Sequence, residues 1–263
     1  MLKNITLGQY IVGNSVIHRI DPRIKIINTL ILVITLFMVS TFTGFGIYLF
    51  LIFLIIKISG ISIKKVLKGL KPIIFLVMIT LFLHIFFTRE GRILWEWRFI
   101  TIAEGGIYRG FFMVSRILLL IMYTTLLTLT TSPLELTDGI EYILSPFKKI
   151  GIPAGELAMM MTIALRFIPT LLEEAQKIMK AQKARGADLE SGNIIERAKN
   201  LIPLLVPLFL SAFRRADELA LAMEARCYQG GIERTRLHEL QLEKRDIFAL
   251  LFIVILAVVV SFY

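Results

Sequence analysis

The chain is poor in the residues from which most enzyme sites are built. It has one cysteine, Cys227, and three widely separated histidines, His18, His84 and His238. A single thiol excludes an internal disulfide and a cysteine-based zinc site. Histidines placed so far apart give no metal-ligand spacing, so neither metal nor cofactor is expected. No nucleophile elbow, zinc-ligand helix or glycine-rich dinucleotide turn occurs. No Asp or Glu pair falls inside an apolar run, so a proton relay or ion-coupled site lacks its usual groups. The segment Gly8-Gln9-Tyr10-Ile11-Val12-Gly13-Asn14-Ser15 imitates a phosphate loop, but Asn14 stands where the lysine is needed and no strand precedes it. The N-terminus, Met1-Leu2-Lys3-Asn4-Ile5-Thr6, lacks a basic region followed by an apolar core, so no cleavable signal is expected.

Apolar residues are what the chain has in excess. They make up 56% of its 263 residues, and the mean hydropathy is +0.75. A soluble domain carries about 45–50% with glycine counted in, so the composition is that of an all-α polytopic membrane protein. A spanning helix needs about 20 mainly apolar residues. Candidates are 24–41, a segment through 47–58 that pairs with it if it begins near Phe42, 73–88 opened by Pro72, 107–131, and 247–263. Thr43-Gly44-Phe45-Gly46 reads as the turn between the first two.

The net charge of +10 invites a nucleic-acid reading, but no groove-reading motif is present and the basic residues flank apolar runs. The positive-inside rule explains them more simply. Arg19, Arg23 and Lys25 precede the first span, and Lys57, Lys64, Lys65, Lys68 and Lys71 follow the second without an acid among them. The N-terminus is therefore expected in the cytoplasm. The mixed-charge loop 89–104, with Trp95 and Trp97, is expected outside as an interfacial aromatic belt. Five spans would put the C-terminus outside.

Between the fourth span and the last lies a region dense in charge of both signs. The expected division is a membrane domain at 1–131, cytoplasmic helices at 132–245 and a C-terminal span at 246–263. Ser132-Pro133-Leu134-Glu135 reads as a capping box with proline at the first helical position. The amphipathic helix it opens ends between Pro146 and Gly151. A second helix is expected over 154–185, roughly 45–48 Å long, with Gly186 as its stop and a kink or break at Pro169. A third is expected over 193–227, with Gly230-Gly231 beyond. Its apolar stretch 201–212 is short for a span and contains Pro203 and Pro207; it is read as buried or interfacial, with a kinked sixth span as the alternative.

Arg109 and Arg116 fall in the outer half of the fourth span, where a charge is either functional or snorkels to the interface. Gly106 and Gly110 have the spacing of a close helix contact. His84 is read as a satisfied polar residue. Met159, Met160 and Met161 offer soft side chains suited either to core packing or to an adaptable surface. The two long helices share an ending, Ala184-Arg185-Gly186 and Ala225-Arg226-Cys227. A cation at the last turn complements the helix dipole. A guanidinium there also presents a planar fork for a partner's carboxylate.

Taken in order, these motifs resemble the EcfT/CbiQ family, the transmembrane coupling subunits of energy-coupling factor transporters. The resemblance is carried by Gly8-Gln9-Tyr10, Ser15 and His18-Arg19-Ile20-Asp21-Pro22-Arg23-Ile24-Lys25. It continues in Ala164-Leu165-Arg166-Phe167-Ile168-Pro169, in Glu173-Glu174-Ala175 and in Ala181-Gln182-Lys183-Ala184-Arg185-Gly186. Ala225-Arg226-Cys227 resembles the second arginine-tipped end, with cysteine in place of glycine. The resemblance implies a multi-pass subunit of a prokaryotic cell membrane that is not itself an ATPase. It implies two ABC-type ATPase subunits docked on the helix ends at Ala184, Arg185, Gly186, Ala225, Arg226 and Cys227. It also implies a small substrate-specificity membrane protein that binds a vitamin or metal ion. From surface character, Met159, Met160, Met161, Leu204, Leu205 and Leu208 are candidate contacts to that protein. A self-sufficient secondary transporter would show inverted repeats with broken spans, and a membrane enzyme a clustered acid, base or metal set; neither pattern is seen.

Overall fold

The structure is a computed structural model that describes residues 10–97, 100–187, 193–230 and 240–261. The sequence features at Lys3, Gly8, Gln9, Arg98, Gly231 and His238 lie outside these. The chain divides into two compact units, Gly8–Ile140 with Leu240–Tyr263, and Glu141–Glu239.

The first unit is a helical bundle. Helix α1 (Pro22–Met38) begins at Asp21, which caps it by accepting from the Arg23 backbone N–H, with Pro22 at the first helical position. Helix α2 (Phe42–Ser59) is capped by Thr41, whose hydroxyl accepts from Gly44 N–H, and ends at Gly60 in the left-handed conformation. The stretch 43–46 is thus the first turn of α2 rather than a connecting turn. The cap at Thr41 satisfies an orphan N–H there, and Gly44 gains a place where an added Cβ would meet the Val39 side chain at 2.6 Å. Helices α3 (Ile63–Leu70) and α4 (Ile74–Phe87) follow, joined by a short 3-10 turn at Lys71–Ile73.

Two antiparallel strands, β1 (Ile93–Trp97) and β2 (Ile100–Ala103), then connect to α5 (Glu104–Thr130). The loop expected at 89–104 is therefore a β-hairpin, as its Ile and Trp content favours. Helix α5 is the central post, packing against α1, α2, α3 and α4; α1 also packs against α9 (Lys244–Ser261). The core between them includes Leu32, Leu36, Tyr48, Ile52, Leu119, Tyr123, Leu126 and Ile253. Tyr123 donates from its hydroxyl to Tyr48 O at 3.0 Å. Large apolar side chains such as Leu30, Ile34, Phe50, Phe53, Phe75 and Phe82 stay exposed. Such a band is what a bilayer covers.

Four stretches among the described residues are long and apolar enough to cross a membrane: Phe42–Ser59, Ile63–Phe87, Glu104–Thr130 and Ala154–Ala184. The last was expected beside the membrane. Its first half, with Met159, Met160 and Met161, is apolar, and its charges gather toward the end. Helix α1, with 17 residues, and α9, which opens with Lys244, Arg245 and Asp246, fall just short by these measures.

Helix α6 (Pro133–Leu144) opens with the expected capping box. Ser132 N–H donates to Glu135 Oε2 at 2.9 Å, and Glu135 N–H donates to Ser132 Oγ at 3.3 Å. A 3-10 segment, Ser145–Ile150, ends at Gly151 in the left-handed region. The second unit is then dominated by α7 (Ala154–Ala184) and α8 (Ile194–Ala225), which pack together. Pro169 does not interrupt α7, nor do Pro203 and Pro207 interrupt α8.

Candidate functional site: two matched helix ends

The two units hold their charges differently. Asp21 not only caps α1 but also pairs with Arg23, whose Nη2 lies 2.7 Å from Asp21 Oδ2 and whose Nε lies 2.9 Å from Oδ1. The same guanidinium donates to Leu240 O at 2.9 Å. Asp21 N–H donates to Asp246 Oδ1 at 3.0 Å, and Asp246 Oδ2 accepts from Glu243 N–H at 2.8 Å. Lys25 donates to His18 O and Thr130 O, both at 3.0 Å. His18 bridges Ser15 Oγ and Ile11 O, and its burial holds its pKa below the ordinary histidine value. Asp21, Arg23, Lys25 and Asp246 are all buried. A charge so placed is tolerable only when paired and fully hydrogen-bonded. This lock ties the start of the first span to α9 and to the end of α5. The Asp-Pro-Arg cap is readable in the sequence; its partner Asp246, on the other side of the chain, is not.

Arg116 snorkels by a specific route. Its Nη2 donates at 2.9 Å to Val39 O, the C-cap of α1. The guanidinium also lies over the rings of Phe37 and Phe112, 5.5 and 5.1 Å from their centroids. It thus caps a neighbouring helix's negative end while stacking on aromatic faces. Arg109 pairs with Glu90. His84 Nδ1 lies 3.5 Å from Thr88 Oγ1. Gly106 packs on α4, where an added Cβ would meet His84 O at 2.8 Å and Thr88 O at 2.9 Å. Among the described residues no three His, Cys, Asp or Glu side chains gather as a metal site would require.

In the second unit two contacts fix how α7 and α8 run. Glu174 lies 3.7 Å from Arg215, and Gln182 Nε2 donates to Pro203 O at 3.4 Å. Advancing along α7 therefore means going back along α8, so the pair is antiparallel. The two arginine-tipped ends point in opposite directions, roughly 33–39 Å apart along the pair by the helical rise from these two contacts. Few side chains are buried: Ala154, Ala158 and Ala175 in α7, and none among the described residues of α8.

The two ends are built alike. Gly186 N–H donates to Lys183 O and Ala187 N–H to Gln182 O, both at 3.0 Å. Cys227 N–H donates to Glu224 O at 2.8 Å and Tyr228 N–H to Met223 O at 3.0 Å. Both are the same Schellman-type turn. Gly186 sits at φ 84°, as glycine readily does, and Cys227 sits at φ 56°, the one described non-glycine residue with positive φ. The cysteine thus occupies the glycine's left-handed place, at a steric cost of about 1–2 kcal/mol. Ala184, Arg185, Gly186, Ala225, Arg226 and Cys227 are all exposed, and neither guanidinium has a partner among the described residues.

The apolar candidates are not gathered into one patch. Leu204, Leu205 and Leu208 fall between the two interhelical contacts, where α7 and α8 meet; Leu205 is exposed and the other two are half-buried. Met159, Met160 and Met161 lie at least roughly 20 Å earlier along α7, with Met160 and Met161 exposed.

Known proteins share this arrangement of sequence. The family model described as CbiQ, cobalt transport protein, matches residues 13–239. A Clostridium kluyveri protein named energy-coupling factor transporter transmembrane protein EcfT is 56% identical over 250 residues, covering 95% of this chain and 93% of its own. The protein of the same name from Thermosediminibacter oceani is 53% identical over 257 residues, 98% of this chain and 97% of its own. That from Bacillus subtilis is 45% identical over 262 residues, 100% of this chain and 99% of its own. A multi-pass helical protein of the cell membrane whose matches run along nearly its whole length belongs to the CbiQ family, as a transmembrane component of the energy-coupling factor transporter type.

Proposed function

We propose that this chain is the mechanical coupling subunit of its transporter. Two ABC-type ATPase subunits dock on the ends of α7 and α8, and a substrate-specificity membrane protein that binds a vitamin or metal ion rests elsewhere on the same helices. The observation that carries this reading is the matched pair of ends. The same turn closes both helices, with an exposed arginine one residue before the left-handed position. Two copies of one local geometry suit two like partners. The antiparallel pairing directs them apart, so two bulky subunits can bind without colliding.

Arg185 and Arg226 are the docking residues in this scheme. Each offers a charge-assisted, bidentate bond to an acidic group in a partner's groove. Ala184 and Ala225 keep the helix tip narrow, while Gly186 and Cys227 turn the chain out of the way. Closure of the ATPases on ATP then moves two rods that share one packed crossing. Leu204, Leu205 and Leu208 at the crossing, and Met159, Met160 and Met161 further along α7, are the surfaces proposed to meet the specificity protein. Having two separate patches suits a partner that lies across the pair.

The test is the double variant Arg185→Glu, Arg226→Glu. Removing one half of a buried charge pair costs about 2–5 kcal/mol, and reversal adds repulsion at both ends. Co-purification with the ATPases and substrate uptake should both be lost while membrane insertion is unchanged. Retained ATPase binding in the double variant would rule out the docking role.

A further inference from the structure

The sequence has no acidic residue between Asp21 and Glu90, yet within that stretch it concentrates Lys57, Lys64, Lys65, Lys68 and Lys71. Four of the five lie on α3 or directly after it, and Lys57 is in the last turn of α2. Helix α3 fixes how they are displayed. Val66 is fully buried, and Gly69 lies so close to α5 that an added Cβ would meet Thr125 Oγ1 at 2.8 Å. That face is therefore pinned. By the helical period, Lys64, Lys68 and Lys71 form a stripe on the opposite face, with Lys65 at its flank. All five lysines are exposed, and none has a bonding partner among the described residues. Beside the stripe Ile63 and Leu67 are also exposed, at 46% and 48%.

We propose that α3 with Lys57 is a binding strip for the headgroups of anionic phospholipids. Three observations choose this occupant over an acidic protein. The helix is the charged opening of the stretch Ile63–Phe87, whose uninterrupted apolar part continues from Ile74, and it follows the apolar stretch that ends at Ser59, which holds it at the membrane boundary. Ile63 and Leu67 sit next to the lysines, as in an interfacial helix that dips apolar side chains among acyl chains. The charge is uncompensated, and a basic segment beside a span gains about 1 kcal/mol per Lys or Arg from an anionic surface. Long lysine stems can lie along the apolar boundary with their ammonium groups at phosphate depth. The strip gives this end of α5 a second hold, through Gly69 and Val66, that depends on the lipid's charge.

The test uses the full chain without partners, in nanodiscs of phosphatidylcholine or of phosphatidylglycerol. Amine labelling at Lys64, Lys65, Lys68 and Lys71 is read by mass spectrometry against Lys177 and Lys180 on α7. Labelling of the strip should fall several-fold in phosphatidylglycerol and recover at high salt, since screening weakens exposed charge pairing. Native mass spectrometry of K64Q/K65Q/K68Q should show lower retention of phosphatidylglycerol, by about fivefold for each lysine removed. The matched K64R/K65R/K68R variant should keep it. Equal labelling of the wild-type strip in the two lipids overturns the proposal, even if the glutamine variant fails to insert. Protection that appears only after the ATPases are added also overturns it, by making the strip a protein-docking surface.

Discussion

In the first unit, Asp21, Arg23, Lys25 and Asp246 are buried and each meets a fixed partner. In the helical pair, Arg185 and Arg226 stand exposed at helix ends and meet none among the described residues. The first set of charges is consumed within the chain: every bond shortens the list of shapes the unit can adopt. The second set is left over, on helices with almost no core of their own. The contrast separates a region that must hold its shape from one that others complete. Changes in the first should cost stability, and changes in the second should cost binding.

The largest expected effect on stability is at the lock. Arg23→Ala leaves Asp21 buried beside Asp246 without its cation, and should cost about 3–5 kcal/mol. Chemical unfolding of the purified chain in detergent reads this directly. A loss below about 1 kcal/mol would mean that the lock is incidental, and the contrast would fail on its structural side. A smaller effect is expected where α4 and α5 touch. Gly106→Val would drive a branched side chain into the carbonyls of His84 and Thr88, and should cost about 1–3 kcal/mol. Insertion without any loss would show that the two helices can separate freely.

The smallest effect sharpens the comparison between the two ends themselves. Cys227→Gly relieves a left-handed residue of its Cβ and should steady the last turn of α8 by about 1 kcal/mol. Gly186→Cys should loosen α7 by a similar amount. Amide exchange at the backbone N–H groups of Cys227, Tyr228, Gly186 and Ala187 measures both. Opposite shifts are expected, and equal shifts of one sign would mean that the two turns are not equivalent.

Much of this was legible in the sequence wherever the signal is local. The capping box at Ser132 and Glu135, the starts of α7 and α8 and the glycine stop at Gly186 follow from caps and periodicity, and the structure has them. The span of α5 was found to within a few residues, because its apolar run is continuous. Thr43-Gly44-Phe45-Gly46 misled: two glycines suggest a turn, yet Thr41 caps a helix there and Gly44 serves close packing on Val39. The β-hairpin was missed because it is short and its mixed charge resembles a loop. The buried lock was missed, and the first span was expected to open at residue 24 rather than at Pro22. Asp-Pro-Arg announces a helix start, but nothing local says that Asp246 will accept from Asp21. Arg116 was ambiguous for the same reason, since its acceptor, Val39 O, and its rings, Phe37 and Phe112, become neighbours only in the fold. That cysteine would adopt a glycine's conformation at 227 was also hidden, because the αL place is dictated by the turn rather than by the residue.

The most direct measurement replaces Arg185, and separately Arg226, with a photo-crosslinking residue in the full chain and irradiates native membranes. Both positions are predicted to capture an ABC-type ATPase subunit, with yields that change when ATP is bound. If both positions capture only lipid or solvent while the ATPases crosslink from another face, the exposed arginines are not the docking points and the coupling account is contradicted.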